Sequence, residues 1–144
     1  MTRTIAVPFI LPLESEQATL DRAGGKGMNL SELARAGFEV PAGFIVTTNA
    51  YRDFVAANGL QEQIVTTALS IKPESPESLE AVSAQLRVLF DQASMPAQIE
   101  SQIATAYREL EHEHSARCAV AVRSSATPGY RAFLNSASTQ SLQT

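Results

Sequence analysis

The sequence predicts an α+β fold, in which helices pack around a small mixed sheet and a helical insert interrupts the chain. Three observations lead to this prediction. Short runs of β-branched and aromatic residues lie near Ile5, Phe44 and Val120 and are too short for helices. Between Leu60 and Leu110 the apolar residues recur at helical spacing instead. Glycine and proline stand at the junctions between these segments, where the chain is expected to turn.

The bulk composition is typical of a folded domain. The chain has 144 residues, of which 44% are hydrophobic and 18% charged, and its net charge is −4. An acidic protein lacks the electrostatic surface that nucleic acids or anionic membranes attract, and no apolar stretch is long enough to span a bilayer. Cys118 is the only cysteine, which excludes an internal disulfide. We therefore expect a cytoplasmic protein with no nucleic-acid or membrane partner.

The first elements are predicted from proline, glycine and helical periodicity. Residues 4–13 contain two prolines among β-branched and aromatic residues, which favours an edge strand or extended arm. The polar residues 14–23 favour a short helical turn. A helix is predicted from Met28 to Ala36, because Leu30, Leu33 and Ala34 form one apolar stripe.

That helix leaves Ser31 on its solvated face, and Gly37 is the residue expected to end it. A buried strand is predicted at Phe44–Thr47. Thr48 is a good N-cap for the next helix, which covers residues 49–58 and ends at Gly59.

The middle of the chain predicts a helical insert at about residues 60–111. Its three amphipathic helices cover residues 60–71, residues 76–92 and the segment that starts at 94–96 and runs to 110. Ser75 and Pro76 form a typical helix start, with serine as the cap and proline in the first helical position. Residues 111–115 are predicted to be a polar break, and residues 116–122 a central strand.

The stretch Gly24–Leu30 is the first candidate site. Gly24, Gly25 and Gly27 let a ligand approach the backbone, and Lys26 adds a positive charge. A helix that begins after this loop presents unpaired amides and the positive end of its dipole, which together suit an anion such as phosphate. The alternative is a flexible turn with a solvated lysine. The spacing is not that of a Walker A loop.

Arg123 is the second candidate. It follows the predicted strand 116–122 and precedes Ser124 and Ser125. Strand ends that face a crevice often carry ligand groups in α/β proteins, and a guanidinium matches phosphate oxygens with a planar set of donors. The alternative is an arginine paired with a carboxylate.

Three segments in this order resemble a known family. They are Gly24–Leu30, Val40–Tyr51 and Val122–Thr127. Together they are similar to the N-terminal ATP-binding region of the pyruvate phosphate dikinase and phosphoenolpyruvate synthase family, which includes the antibiotic-modifying rifampicin phosphotransferases. The resemblance runs from about Leu11 to Thr127, which is nearly the whole chain.

The resemblance implies the N-terminal lobe of an ATP-grasp nucleotide-binding domain. In this family ATP is split at two phosphoanhydride bonds, and a phosphoryl group passes through a histidine on a swivelling domain to an acceptor. The lysine of the glycine loop and the arginine of the Arg-Ser-Ser motif contact ATP phosphates, roles that carry over to Lys26 and Arg123. The cofactor-binding set that follows is Gly24, Gly25, Lys26, Gly27, Arg123, Ser124 and Ser125, with ATP as the cofactor.

The chain departs from the family after Thr127. The family continues with an Ala-Glu-Asp segment, whereas Pro128–Phe133 has no acidic pair. We expect residues 1–127 to form the lobe and residues 128–144 a divergent, disordered tail. The second lobe, the magnesium ligands and the phosphocarrier domain are expected outside this chain. His112 and His114 are expected to be solvated loop residues, since their spacing matches no metal motif.

Three functional hypotheses follow. The first is a truncated ATP-binding lobe that binds nucleotide without turnover. The second is one subunit of a split dikinase, completed by a second polypeptide and showing an exposed apolar surface. The third is a non-enzymatic interaction module formed by the helices between Leu60 and Leu110. The phosphoryl acceptor, whether pyruvate, rifampicin or another compound, is left open by all three.

Overall fold

A computed structural model describes residues 8–72, 74–114 and 119–127. These residues form a mixed α/β arrangement of five helices and one two-stranded sheet. The elements are, in chain order, β1 (Ile10–Pro12), α1 (Leu20–Arg35), β2 (Phe44–Val46), α2 (Thr48–Ala57), α3 (Gln61–Leu69), α4 (Pro76–Gln92) and α5 (Ala97–His114).

The chain divides into two compact units. One consists of Met1–Tyr51 with Ala97–Thr144, and the other of Arg52–Pro96. α5 contacts β1 and so belongs to the first unit, although its residues up to 111 were predicted as part of the helical insert. The predicted limits of the lobe and tail stay predictions, because residues 128–144 lie outside the described residues.

The sheet of the first unit is antiparallel. Leu11 lies opposite Ile45, and both side chains are buried. The pairing is extended by Thr47, whose amide donates to the Phe9 carbonyl at 2.9 Å and whose hydroxyl donates to the Pro8 carbonyl at 2.8 Å. The strand predicted at Phe44–Thr47 is confirmed, and it covers Phe44–Val46. The segment near Ile5 lies outside the described residues.

The predicted central strand at 116–122 is wrong where it can be compared. Residues 119–127 form no strand, so the described sheet has two antiparallel strands and is not mixed. Val122 is 93% exposed. The apolar run indicated a buried strand, but residues just after it make their hydrogen bonds to the glycine loop instead. Residues 116–118 lie outside the described residues.

The core of the first unit lies between the sheet and α1. One buried cluster there consists of Leu11, Leu13, Ala18, Ala23 and Ile45, with Leu30 and Val40 packed against it. α1 approaches β2 closely at Gly27, where an added Cβ would lie 3.8 Å from two Ile45 methyl groups. This close packing places the glycine loop directly on the sheet.

The buried face of α1 differs from the predicted one. Leu33 is 43% exposed, whereas Ser31 is fully buried. Ser31 donates its hydroxyl to the Ser15 carbonyl at 3.0 Å, so its burial leaves no unsatisfied donor. Ala23, Gly27 and Ser31 are spaced four residues apart and are small, and small side chains let the helix lie close to β2. Periodicity of large apolar residues therefore predicted the buried face only in part, at Leu30.

The predicted helix ends are confirmed at two glycines. Gly37 and Gly59 have φ of 84° and 62°. After each, the chain makes a Schellman turn: the Phe38 amide donates to the Leu33 carbonyl at 3.1 Å, and the Leu60 amide to the Val55 carbonyl at 3.0 Å. Only glycine adopts this backbone conformation without steric cost.

The second unit is held by a helix cap and an aromatic pair. Ser75 accepts a hydrogen bond from the Ser78 amide at 3.2 Å, and Pro76 is the first residue of α4, as predicted. The rings of Phe54 and Phe90 stack with centroids 5.6 Å apart. The cap fixes the start of α4, and the stacked rings join α4 to α2.

α5 continues further than the sequence indicated. It ends at His114, so residues 111–114 are helical and not a polar break, and the prediction that His112 and His114 are loop residues is wrong. No glycine or proline occurs at residues 111–114, so no residue there breaks the helix. No helix in the described ranges is long and apolar enough to cross a membrane.

The difference in burial between the side chains of Leu33 and Leu11 can be tested by replacing each leucine with alanine. We expect Leu33→Ala to lower the free energy of unfolding by less than about 1 kcal/mol, because its side chain is half exposed. Leu11→Ala, at 3% exposure, should cost about 2–5 kcal/mol. Urea unfolding of both variants measures the difference. Equal losses would contradict the observed orientation of α1.

Candidate functional site

The candidate site is built around a kink in α1. Gly24 has φ 67° and ψ 175°, and it separates a first helical turn from a longer segment that begins at Gly25. The first amides of a helical segment have no partner within the helix. The kink therefore creates a second set of unpaired donors inside α1. The helix predicted to start at Met28 thus already includes Gly25, and the stretch Gly24–Leu30, which we still call the glycine loop, is helical after Gly24.

These donors are satisfied by a distant part of the chain. The amides of Lys26 and Gly27 donate to the Ser125 hydroxyl oxygen at 3.0 and 3.2 Å. The amide of Gly25 donates to the Ala126 carbonyl at 3.1 Å. Ser125 thus performs the role of an N-cap for a helix that lies 98 residues earlier than itself. The sequence predicted that these amides are unpaired, whereas in the structure they donate hydrogen bonds to Ser125 and Ala126.

Gly24 makes this contact sterically possible. A Cβ on Gly24 would lie 2.9 Å from both the backbone carbon and the Cβ of Ser125, and closer still to its hydroxyl oxygen. Its positive φ also disfavours any other residue. At Gly25, by contrast, a Cβ would meet only the Leu20 side chain at 3.9 Å. Of the two adjacent glycines, Gly24 is the one required for close approach.

The segment before the kink is fixed by α2. The helix begins at Thr48, and the Thr48 hydroxyl donates to the Asp21 carbonyl at 2.8 Å. The helix thus begins at the residue predicted to cap it, and the hydroxyl of that residue also bonds to α1. Ordinary capping rules could not show this, because the partner is a backbone carbonyl far away in sequence.

The two predicted cations are exposed. Lys26 belongs to the loop, and Arg123 lies two residues before Ser125 on the segment that caps it. Within the part of the chain that the structure describes, no hydrogen bond or ion pair engages the side chain of either residue. The alternative of an Arg123–carboxylate pair is thus not observed among those residues.

The other predicted residues differ in placement. Ser125 contacts the loop, whereas Ser124 is exposed and makes no hydrogen bond to it. Ala126 was not singled out from the sequence, since its contribution is a backbone carbonyl. Among residues 8–72, 74–114 and 119–127, no three histidine, cysteine or acidic side chains are grouped to hold a metal ion. The prediction that magnesium ligands lie outside this chain is not tested by that finding.

Comparison with known proteins gives a family match. Residues 20–129 match the model of the pyruvate phosphate dikinase AMP/ATP-binding domain, which is more than half of the chain. A probable phosphoenolpyruvate synthase of Archaeoglobus fulgidus is 38% identical over 121 residues, or 84% of this chain and 16% of the relative. The phosphoenolpyruvate synthase of Pseudomonas aeruginosa is 38% identical over 75% of this chain and 14% of its own length.

A rifampicin phosphotransferase of Bacillus cereus is also similar, at 34% identity over 83% of this chain and 14% of that protein. The chain therefore spans about a sixth or less of the length of these relatives. The matched range contains both the glycine loop and the Arg123–Thr127 segment.

The steric requirement at Gly24 can be separated from its backbone conformation. We expect Gly24→Ala to lower the free energy of unfolding by about 2–4 kcal/mol, since strain at positive φ adds to overlap with Ser125. Gly37→Ala is the matched control, because Gly37 also has positive φ but has no atom within 4 Å of an added Cβ. It should cost only about 1–2 kcal/mol. Chemical denaturation measures both free energies of unfolding. Equal losses in the two variants would contradict close packing of Ser125 against Gly24.

Proposed function

Since the chain belongs to the pyruvate phosphate dikinase AMP/ATP-binding domain family, we propose that Lys26 and Arg123 bind the phosphates of ATP at one shared site. The observation that supports this most directly is the set of three hydrogen bonds between the glycine loop and residues 125–126. They bring two motifs together that are far apart in sequence, and each motif carries one exposed cation.

The chemistry of these groups suits a triphosphate. Lysine supplies a compact charge with three donors, and arginine a planar set of donors that matches two phosphate oxygens. Neither side chain is engaged by another described residue, so both can turn toward a ligand. The Ser124 hydroxyl is exposed beside them and can add a donor. Because the loop amides already donate to Ser125 and Ala126, side chains are the main phosphate contacts in this conformation.

We further propose that the site is one wall of an ATP-grasp nucleotide site. The opposite lobe and the magnesium ligands would lie in protein outside residues 1–144, on the same or a separate polypeptide. Bound magnesium neutralises charge that develops on the phosphate oxygens. The complete site would serve phosphoryl transfer of the class named for the relatives, phosphoenolpyruvate synthase and rifampicin phosphotransferase. The acceptor stays open.

Nucleotide binding is tested by thermal stability and direct titration. We expect Mg-ATP at millimolar concentration to raise the melting temperature of the chain, because a ligand that binds only the folded state stabilises it. Lys26→Ala and Arg123→Ala should each weaken ATP binding about 10- to 100-fold, as expected for a lost hydrogen bond to a charged group.

Two matched variants control for the loss of charge. Lys72→Ala and Arg35→Ala remove an exposed cation elsewhere and should leave ATP affinity unchanged. A wild-type chain without a melting shift, or ATP binding unaffected by Lys26→Ala and Arg123→Ala, would contradict the proposal.

Turnover tests whether the chain is complete as a catalyst. We expect the isolated chain to release no AMP or ADP from Mg-ATP above the rate in buffer, because one lysine and one arginine supply only part of the charge stabilisation that phosphoryl transfer needs. Chromatographic quantification of nucleotides over several hours measures this. Formation of AMP that disappears in Lys26→Ala would overturn the need for a further lobe.

A further inference from the structure

We propose that Ser125 serves the nucleotide site as a positioning residue, which caps the helical segment after Gly24 and thereby holds Arg123 at the glycine loop. This inference rests on the proposed function, and it separates Ser125 from the residues that contact ATP directly. In this assignment Lys26 and Arg123 touch the phosphates, and Ser125 acts through both of them.

The position of the Ser125 hydroxyl is fixed by hydrogen bonds from the glycine loop. A hydroxyl oxygen has two lone pairs that accept hydrogen bonds, and Ser125 accepts two, from the amides of Lys26 and Gly27. The oxygen is thus committed to the start of a helical segment, where serine is among the preferred caps. Its position is set by the loop and not by a ligand.

Arg123 is close to Ser125 along the chain, so fixing Ser125 also restricts Arg123. Arg123 lies two residues before Ser125, and two residues span at most about 7 Å of extended backbone. Anchoring Ser125 therefore confines the backbone of Arg123 to the neighbourhood of Lys26. The second anchor, from the Gly25 amide to the Ala126 carbonyl, also fixes the direction in which the segment runs.

The segment at residues 119–126 buries little side-chain surface. Its side chains from Ala119 to Ala126 are all exposed, and Val122 is 93% exposed. A segment with little buried apolar surface gains little stability from packing and opens locally at low cost. The contacts of residues 125–126 with the glycine loop lie within three residues of Arg123 and so help to hold it in place, and Gly24 provides the space for them.

Paired substitutions test this role. Ser125→Ala removes the acceptor, while Ser125→Thr and Ser125→Asn keep a side-chain oxygen that can cap. Ser101→Ala is the matched control, since Ser101 is exposed on α5. The first measurement is amide hydrogen exchange at Lys26 and Gly27 without nucleotide. The second is ATP affinity by titration, in the same proteins.

We expect Ser125→Ala to speed exchange of both amides about five- to tenfold, the usual effect of a lost cap. ATP affinity should fall about tenfold through the freed Arg123, whereas at least one of Ser125→Thr and Ser125→Asn should restore both quantities. Ser101→Ala should change neither.

Three results would overturn the role of Ser125. If Ser125→Ala weakens ATP binding but leaves exchange unchanged, Ser125 is a direct ligand. If exchange rises but ATP affinity does not fall, the cap does not position Arg123. If neither Ser125→Thr nor Ser125→Asn restores the Ser125→Ala losses, the side-chain acceptor is not what matters. A wild-type chain that binds no ATP contradicts the proposed function instead, and the exchange comparison still decides the cap.

Discussion

The contact on which the candidate site depends is a helix cap made across the fold. Gly24 interrupts α1, and the interruption leaves donors that one hydroxyl and one carbonyl from residues 125–126 satisfy. A continuous helix at this place would pair most of those amides internally and offer nothing for the later segment to bind. The kink costs helical hydrogen bonds, and the contact with Ser125 compensates for that loss.

Local features of the fold were predicted well from the sequence. The start of α4 at Ser75 and Pro76, and the glycine stops at positions 37 and 59, depend on residues within one helical turn. Such features can be predicted because the residues that determine them are neighbours in the sequence. The strand at Phe44–Val46 was also recognised from its composition.

Features that depend on packing were not predictable in the same way. Ser31 is buried four residues after Gly27, the residue at which α1 approaches β2, and its hydroxyl donates to the Ser15 carbonyl. Nothing in the spacing of polar residues shows this. The run at 116–122 has the composition of a buried strand, yet its described residues are exposed and form no strand. For the site, the residue pattern singled out Lys26 and Arg123 and the resemblance implied their roles, but the partners of the loop amides required coordinates.

The length of chain between Gly27 and Ser125 has a consequence for the order in which the protein takes shape. The α4 cap joins residues three apart and can form as soon as they leave the ribosome. The cap on α1 joins residues 98 apart, so at typical synthesis rates its donors wait roughly 5–20 s for their acceptor. During that interval the glycine loop is exposed to whatever else can accept hydrogen bonds. The candidate site is therefore completed only after residues 125–126 have been synthesised.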